Sequence, residues 1–99
     1  MYPVGQMPAF PGDLMSFLAK NLRYPDAALE NGIDGKVIAG FVVRKDGSIT
    51  DLRVVRSAGK DLDDEVLRVI RLMPAWIPGK NNRVPKDVNY VLPVHMCPI

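Results

Sequence analysis

The spacing of apolar positions changes several times along the chain, and each change marks an element. From residue 35 to 43 the period is two. Val37, Ala39, Phe41 and Val43 alternate with Lys36, Ile38, Gly40 and Val42, which predicts a strand with one face on a core. The run stops at Lys45-Asp46-Gly47-Ser48. Asp-Gly between two β-rich runs is a strong hairpin signal, because both residues tolerate the backbone a tight turn demands. The return strand, residues 49–56, has Ile49 in one phase but Leu52 and Val54 in the other. Either a bulge near Asp51 shifts the phase or both faces are partly covered, and the bulge is the favoured reading.

Helical spacing brackets this hairpin. Leu14, Phe17, Leu18 and Leu22 recur at helical intervals, with Asp13 placed to cap a helix that runs to Asn21. Tyr24-Pro25 breaks it, since a residue before proline is pushed out of the α region. Pro25 can start a second short helix over Asp26-Ala27-Ala28-Leu29-Glu30, which Asn31-Gly32 closes. Leu62, Val66, Val69, Ile70 and Met73 form the stripe of a longer helix that Asp61 is placed to cap. Acidic residues in its first turn and Arg68 and Arg71 near its end suit the helix dipole. Pro74 ends it. Trp76 in the stiff exit that follows is expected to pack under the sheet or helix, and residues 80–85 are expected as a polar loop.

The last alternating run, residues 87–96, contains a proline. Val88, Tyr90, Leu92, Val94 and Met96 form an apolar row, and Asn89, Val91, Pro93 and His95 a more polar one. Pro93 donates no ladder hydrogen bond, so this strand fits a sheet as an edge, with the site of the missing amide facing away. Backbone groups alternate sides, so the amides of Asn89, Val91 and His95 are expected to face outward as well, while Val88, Tyr90, Leu92 and Val94 serve the internal ladder. Such an edge can accept an extended peptide, can pair with a second copy, or can be protected by its proline and short length. The element order predicts an α+β fold, a three-stranded antiparallel sheet with helices packed on one face.

With 99 residues, 47% of them hydrophobic and 24% charged, the chain fits one domain with one core. Residues 1–11, with Pro3, Pro8, Pro11 and Gly5, read as the extended, poorly packed end of a linker, and residues 12–99 as the domain. The longest apolar runs fall short of the roughly 18 residues of a membrane span. No secretory leader pattern opens the chain, and Met1 is compatible with an introduced start as well as a biological one. A net charge of +2, with cations spread along the sequence, argues against a nucleic-acid surface and leaves room for a mildly acidic partner. Cys97 is the only cysteine, which excludes an internal disulfide and leaves the redox compartment open.

Catalytic patterns are missing: there is no HExxH, GxSxG, GxGxxG or GxxxxGK, so neither enzymatic activity nor a cofactor is expected. His95 and Cys97 share a strand face, but two ligands do not close a metal site. Asp61, Asp63, Asp64 and Glu65 lack the spacing and glycine of a calcium loop and are better explained by the helix start. Trp76 and Tyr24, beside prolines at helix ends, read as core corners rather than ligand platforms.

Several pieces occur together in order: Met7-Pro8-Ala9-Phe10-Pro11-Gly12, Asn21-Leu22-Arg23-Tyr24-Pro25, Gly32-Ile33-Asp34-Gly35-Lys36-Val37, Asp46-Gly47-Ser48-Ile49, Val54-Val55-Arg56-Ser57, Met73-Pro74-Ala75-Trp76-Ile77-Pro78-Gly79-Lys80 and Leu92-Pro93-Val94. In these the chain resembles the C-terminal domain of TonB-type energy transducers, in the form common among Bacteroidetes-like bacteria. It departs at Asn82-Arg83-Val84-Pro85, where that family usually has a glycine and lysine, which bears on the loop conformation. The resemblance implies a periplasmic domain, anchored to the inner membrane through a preceding helix and proline-rich linker. It implies strand addition of the TonB box of an outer-membrane transporter at Asn89, Val91, Pro93 and His95, and contact with the transporter plug through Asn21, Leu22, Arg23 and Tyr24. It implies, finally, that the ExbB-ExbD motor, driven by the proton gradient, acts through the missing N-terminal region to power substrate import. A homodimerising or sensor module of a larger membrane protein, using the same edge, is the alternative.

Overall fold

The computed structural model describes residues 5–32 and 34–96. Met1 and the first three residues after it, Ile33, and the tail from Cys97 lie outside that description. Among the described residues the elements are α1 (Leu14–Asn21), α2 (Asp26–Glu30), β1 (Gly35–Val43), β2 (Ile49–Arg56), α3 (Lys60–Arg71), β3 (Gly79–Asn81), β4 (Val84–Lys86) and β5 (Val88–Met96).

The helices begin where short polar side chains can satisfy free N–H groups. Asp13 accepts from the amides of Met15 and Ser16 at 3.0 and 3.2 Å, which caps α1 as expected. Pro25 leads into α2, and Asn31 closes it ahead of Gly32 at φ 63°. The cap of α3 differs from expectation. Gly59, not Asp61, holds the N-cap position, at φ 115°. That turn lets loop donors reach a carboxylate one turn inside the helix: Asp63 accepts from the Ala58 amide at 2.9 Å and from the Ser57 hydroxyl.

Three strands form one antiparallel sheet in the order β2-β1-β5, with β1 central. Between β1 and β2 the register passes from Gly40 opposite Arg53 to Val42 opposite Thr50, so Phe41 faces the two residues Asp51 and Leu52. Asp51 sits at φ 57°. This is the bulge near Asp51, and it brings Ile49, Leu52 and Val54 together against the core despite their change of phase.

The core lies between that sheet face and α3. Val37, Ala39, Phe41 and Val43 of β1, with Leu92, Val94 and Met96 of β5, are buried against Leu62, Val66 and Ile70. Burying Phe41 alone is worth about 2–3 kcal/mol. Trp76 is buried as expected, its ring 5.3 Å from Phe41 and 4.9 Å from Tyr90, both edge-on. Among the described residues no helix packs on the opposite face of the sheet.

Residues 80–85 are not a plain loop. β3 and β4 pair as a hairpin with Gly79 opposite Lys86, and the two turn residues, Asn82 and Arg83, both have positive φ, 51° and 66°. That is the turn usually written Asn-Gly, and the absence of glycine at Arg83 hid it in the sequence. Residues 5–10 add a further extended segment beside β3. Gln6 and Lys80 exchange both backbone hydrogen bonds, at 2.7 and 2.9 Å, and Ala9 and Ile77 do so at 3.0 and 2.8 Å. Pro8 is buried and Phe10 packs 5.2 Å from Phe17 and 5.7 Å from Trp76, so this stretch packs more closely than its proline-rich composition suggested.

Candidate functional site

A three-stranded sheet has two edges, and they differ. The β2 edge is interrupted by the bulge at Asp51 and by a second register shift between Ile38 and Ala39, opposite Val55. Bulges twist an edge out of line and make it a poor template. A cavity of about 490 Å³ lies where β2 begins, against Ile70, Met73 and Pro74, and its lining holds no histidine or cysteine. The β5 edge is continuous. β5 pairs with β1 over nine residues with no register shift, from Gly35 opposite Met96 to Val43 opposite Val88.

Pro93 stands opposite Ile38 in that ladder. Antiparallel pairs alternate between those that exchange two hydrogen bonds and those that exchange none. A residue without an N–H fits the second class, and alternation carries Lys36–His95, Gly40–Val91 and Val42–Asn89 into the same class. In such pairs the β5 backbone groups are directed to the free side. The side chains of Asn89, Val91, Pro93 and His95 are all exposed, Val91 by 53%, whereas those of Leu92, Val94 and Met96 are buried. Tyr90 is half-buried, stacked 5.5 Å from Phe41.

A backbone hydrogen bond and an ion pair fix the start of this strand. Asp87 accepts from the Lys45 amide at 2.8 Å and from the Arg44 guanidinium at 3.2 Å, tying the entry of β5 to the β1–β2 turn. The Lys45 amide first, then the Arg44 bond, holds the Asp87 carboxyl below its usual range.

The other candidate residues form a separate place. Asn21 ends α1 and Leu22, Arg23 and Tyr24 connect it to α2, and the bonds of Asn21, Leu22 and Arg23 run to α1 and α3. Leu22 donates to the Leu18 carbonyl at 2.8 Å and the Asn21 side chain to Phe17 at 2.8 Å. Glu65 accepts the Arg23 amide at 2.6 Å, and Arg68 donates to the Asn21 carbonyl at 2.8 Å. Leu22 and Tyr24 pack partly into the core, and the Arg23 side chain is exposed. Sequence spacing explained Glu65 and Arg68 by the helix dipole and missed this clamp. The i,i+3 spacing of Glu65 and Arg68 is the one signal that could have pointed to it.

Of the tempting metal ligands, His95 is exposed on β5, and Cys97 lies outside the described residues. Among the described residues no group of three histidine, cysteine, aspartate or glutamate side chains comes together. Asp63 and Asp64 are engaged by Ser57 and Lys60 respectively. No helix among the described residues is long and apolar enough to cross a membrane.

The comparisons with known proteins agree with this fold. Two solved solution structures of the Helicobacter pylori TonB C-terminal domain superpose on the chain. The one spanning that protein's residues 179–285 gives a TM-score of 0.64 at 28% identity, covering 86% of this chain and 77% of the other. The one spanning residues 194–285 gives 0.60 at 30% identity, covering 83% and 86%. Protein TonB of two Helicobacter pylori strains, J99 and 26695, is 37% identical over 49 residues, half of this chain. That match spans only 18% and 17% of those relatives' length. Since the family described as Gram-negative bacterial TonB protein C-terminal matches residues 20–95, from the end of α1 nearly to the end of β5, the chain belongs to that family.

Proposed function

We propose that this domain takes up a short extended segment of an outer-membrane transporter, the TonB box, as an added strand along β5, and transmits force to it without catalysis. The observation that carries the reading is the contrast between the sheet's edges: β2 is broken by register shifts, and β5 offers nine regular residues with Pro93 in register. The incoming strand bonds the backbone of Asn89, Val91 and His95 and the Pro93 carbonyl. At a net ~0.5–1.5 kcal/mol per hydrogen bond, the docked state is transient unless other surfaces add contacts. Asn21, Leu22, Arg23 and Tyr24, held by Glu65 and Arg68, supply such a surface to the transporter plug.

In this reading residues 12–99 form the periplasmic domain, residues 5–10 belong to it through their bonds to β3 and the packing of Phe10 on Trp76, and the rest of the protein reaches an inner-membrane ExbB-ExbD motor. Bonds lying across the direction of pull share the load in shear, which suits a strand to transmitting motor force for substrate import.

The test is calorimetric titration of the domain with a synthetic peptide from the N-terminus of a TonB-dependent transporter of the same cell. Val91→Pro removes one outward donor and places a ring in the path of the strand. It is expected to weaken binding about tenfold with the fold intact. Unchanged affinity would sink the docking scheme.

A further inference from the structure

We propose that the β3–β4 hairpin is a carboxylate-binding subsite for the end of the peptide that docks on β5, an inference that rests on the strand-addition reading above. The charge of the molecule is unevenly placed. Residues 5–12 and 72–86 contain Lys80, Arg83 and Lys86 and no aspartate or glutamate. All three cations are exposed. The ion pairs among the described residues use Arg44, Lys60 and Arg68 instead. The carboxylate next in sequence, Asp87, is already committed to Lys45 and Arg44. The hairpin therefore presents positive charge that the fold itself does not neutralise.

Position gives that charge a purpose. Lys80 and Lys86 line a cleft of about 350 Å³ together with Gln6, Met7 and Val88. Val88 is also the first residue of β5, opposite the last residue of β1. Gly79 at the base of the hairpin packs directly on Val88, where an added Cβ would stand 2.8 Å from the valine methyl. A strand laid on the free edge of β5 therefore ends beside this cleft, whichever direction it runs. An aspartate or glutamate one or two residues past the paired segment meets the lysines there. Three cations are fewer than the four to eight that mark anionic-lipid recognition, and the cleft is continuous with the strand edge, so a peptide carboxylate is the better fit than a membrane surface.

The test uses three synthetic transporter N-terminal peptides: one neutral at both ends, one with aspartate at its N-terminal flank, and one with aspartate at its C-terminal flank. Fluorescence anisotropy at low salt is expected to show one aspartate peptide binding wild-type protein about fivefold more tightly than the neutral one. The advantage should disappear at high salt and in the Lys80→Gln/Lys86→Gln double variant. The neutral peptide should bind wild type and double variant equally. Equal affinity for all three peptides, with binding retained, overturns the subsite and leaves strand addition standing. Absence of binding by any peptide overturns both. If the double variant keeps the aspartate preference but loses adsorption to phosphatidylglycerol vesicles, the hairpin is a lipid contact and the subsite is wrong.

Discussion

The carboxylate of Glu65 accepts the backbone amide of Arg23 at 2.6 Å, joining α3 to the connection between the first two helices across 42 residues of sequence. Arg68 grips the same carboxylate with Nε and Nη2 at 2.8 and 2.7 Å, and Nη2 reaches on to the Asn21 carbonyl at 2.8 Å. One ion pair thus holds the backbone on both sides of Leu22. The Glu65 side chain is only 11% exposed, so its bonds compete with little water.

Glu65→Ala is expected to cost about 1–3 kcal/mol, by leaving the Arg23 amide without its acceptor. The cost depends on pH in a set direction. The Arg68 side-chain bond lowers the Glu65 carboxyl from its ordinary 4.5; burial opposes it, and the Arg23 amide adds to the lowering. A lowered carboxyl stabilises the fold above its unfolded value, and that part is lost as pH falls through the folded value. Urea melts should therefore show the gap between wild type and Glu65→Ala narrowing below about pH 4.5. A gap that stays constant into strong acid would refute the assignment.

Two glycines of the first hairpin should respond to different degrees. Gly47 combines φ 89° with a backbone approach so close that a Cβ would run into the Trp76 carbonyl oxygen, while the Gly47 carbonyl accepts the Trp76 amide at 2.9 Å. Neither neighbour is free to move. Gly47→Ala is expected to destabilise by about 2 kcal/mol or more. Gly40 meets only side-chain atoms, Val55 Cγ2 at 2.9 Å and Arg53 Cζ at 3.0 Å, on the helix-free face where both can turn aside. Gly40→Ala should stay within about 1 kcal/mol of wild type, and thermal melts of the pair check the contrast.

Much of this architecture is legible in the residues, and the reasons for the exceptions are physical. Alternation placed β1 and β5, and the phase slip between Ile49 and Leu52 located the Asp51 bulge, because side-chain period reports directly on which face is buried. The candidate edge could be read because proline's missing donor restricts it to so few ladder positions. The β3–β4 hairpin was hidden since Asn82 and Arg83 adopt positive φ without glycine, and three-residue strands leave no period to detect. Side chains that reach beyond their own helix left no trace in the spacing. Neither Asp63 reaching back to Ala58 nor Glu65 reaching Arg23 follows from spacing along the chain.

The hairpin turn itself makes a prediction. Arg83 pays for its φ of 66° with side-chain crowding that glycine lacks. Arg83→Gly should raise stability by about 0.5–1 kcal/mol, a rise of several degrees in Tm for a domain of this size. Since Lys80 and Lys86 remain, peptide preference should weaken only partly. A drop in Tm would mean that the Arg83 side chain contributes more than its backbone costs.

The last contrast concerns neighbouring residues of β5. Leu92 is 6% exposed and stands opposite Ala39, in the pair class that exchanges two hydrogen bonds with β1; Val91 stands opposite Gly40, in the class that exchanges none. Leu92→Pro therefore deletes a ladder bond and a core side chain together. A loss of about 3 kcal/mol or more is expected, enough to unfold much of a marginal domain. Val91→Pro removes a donor directed at solvent and an exposed side chain, and should cost about 1 kcal/mol or less. Circular dichroism melts would reveal the alternation without any partner present. If both prolines destabilise equally, β5 does not present alternate amides to its free side, and the register argument for an added strand loses its footing.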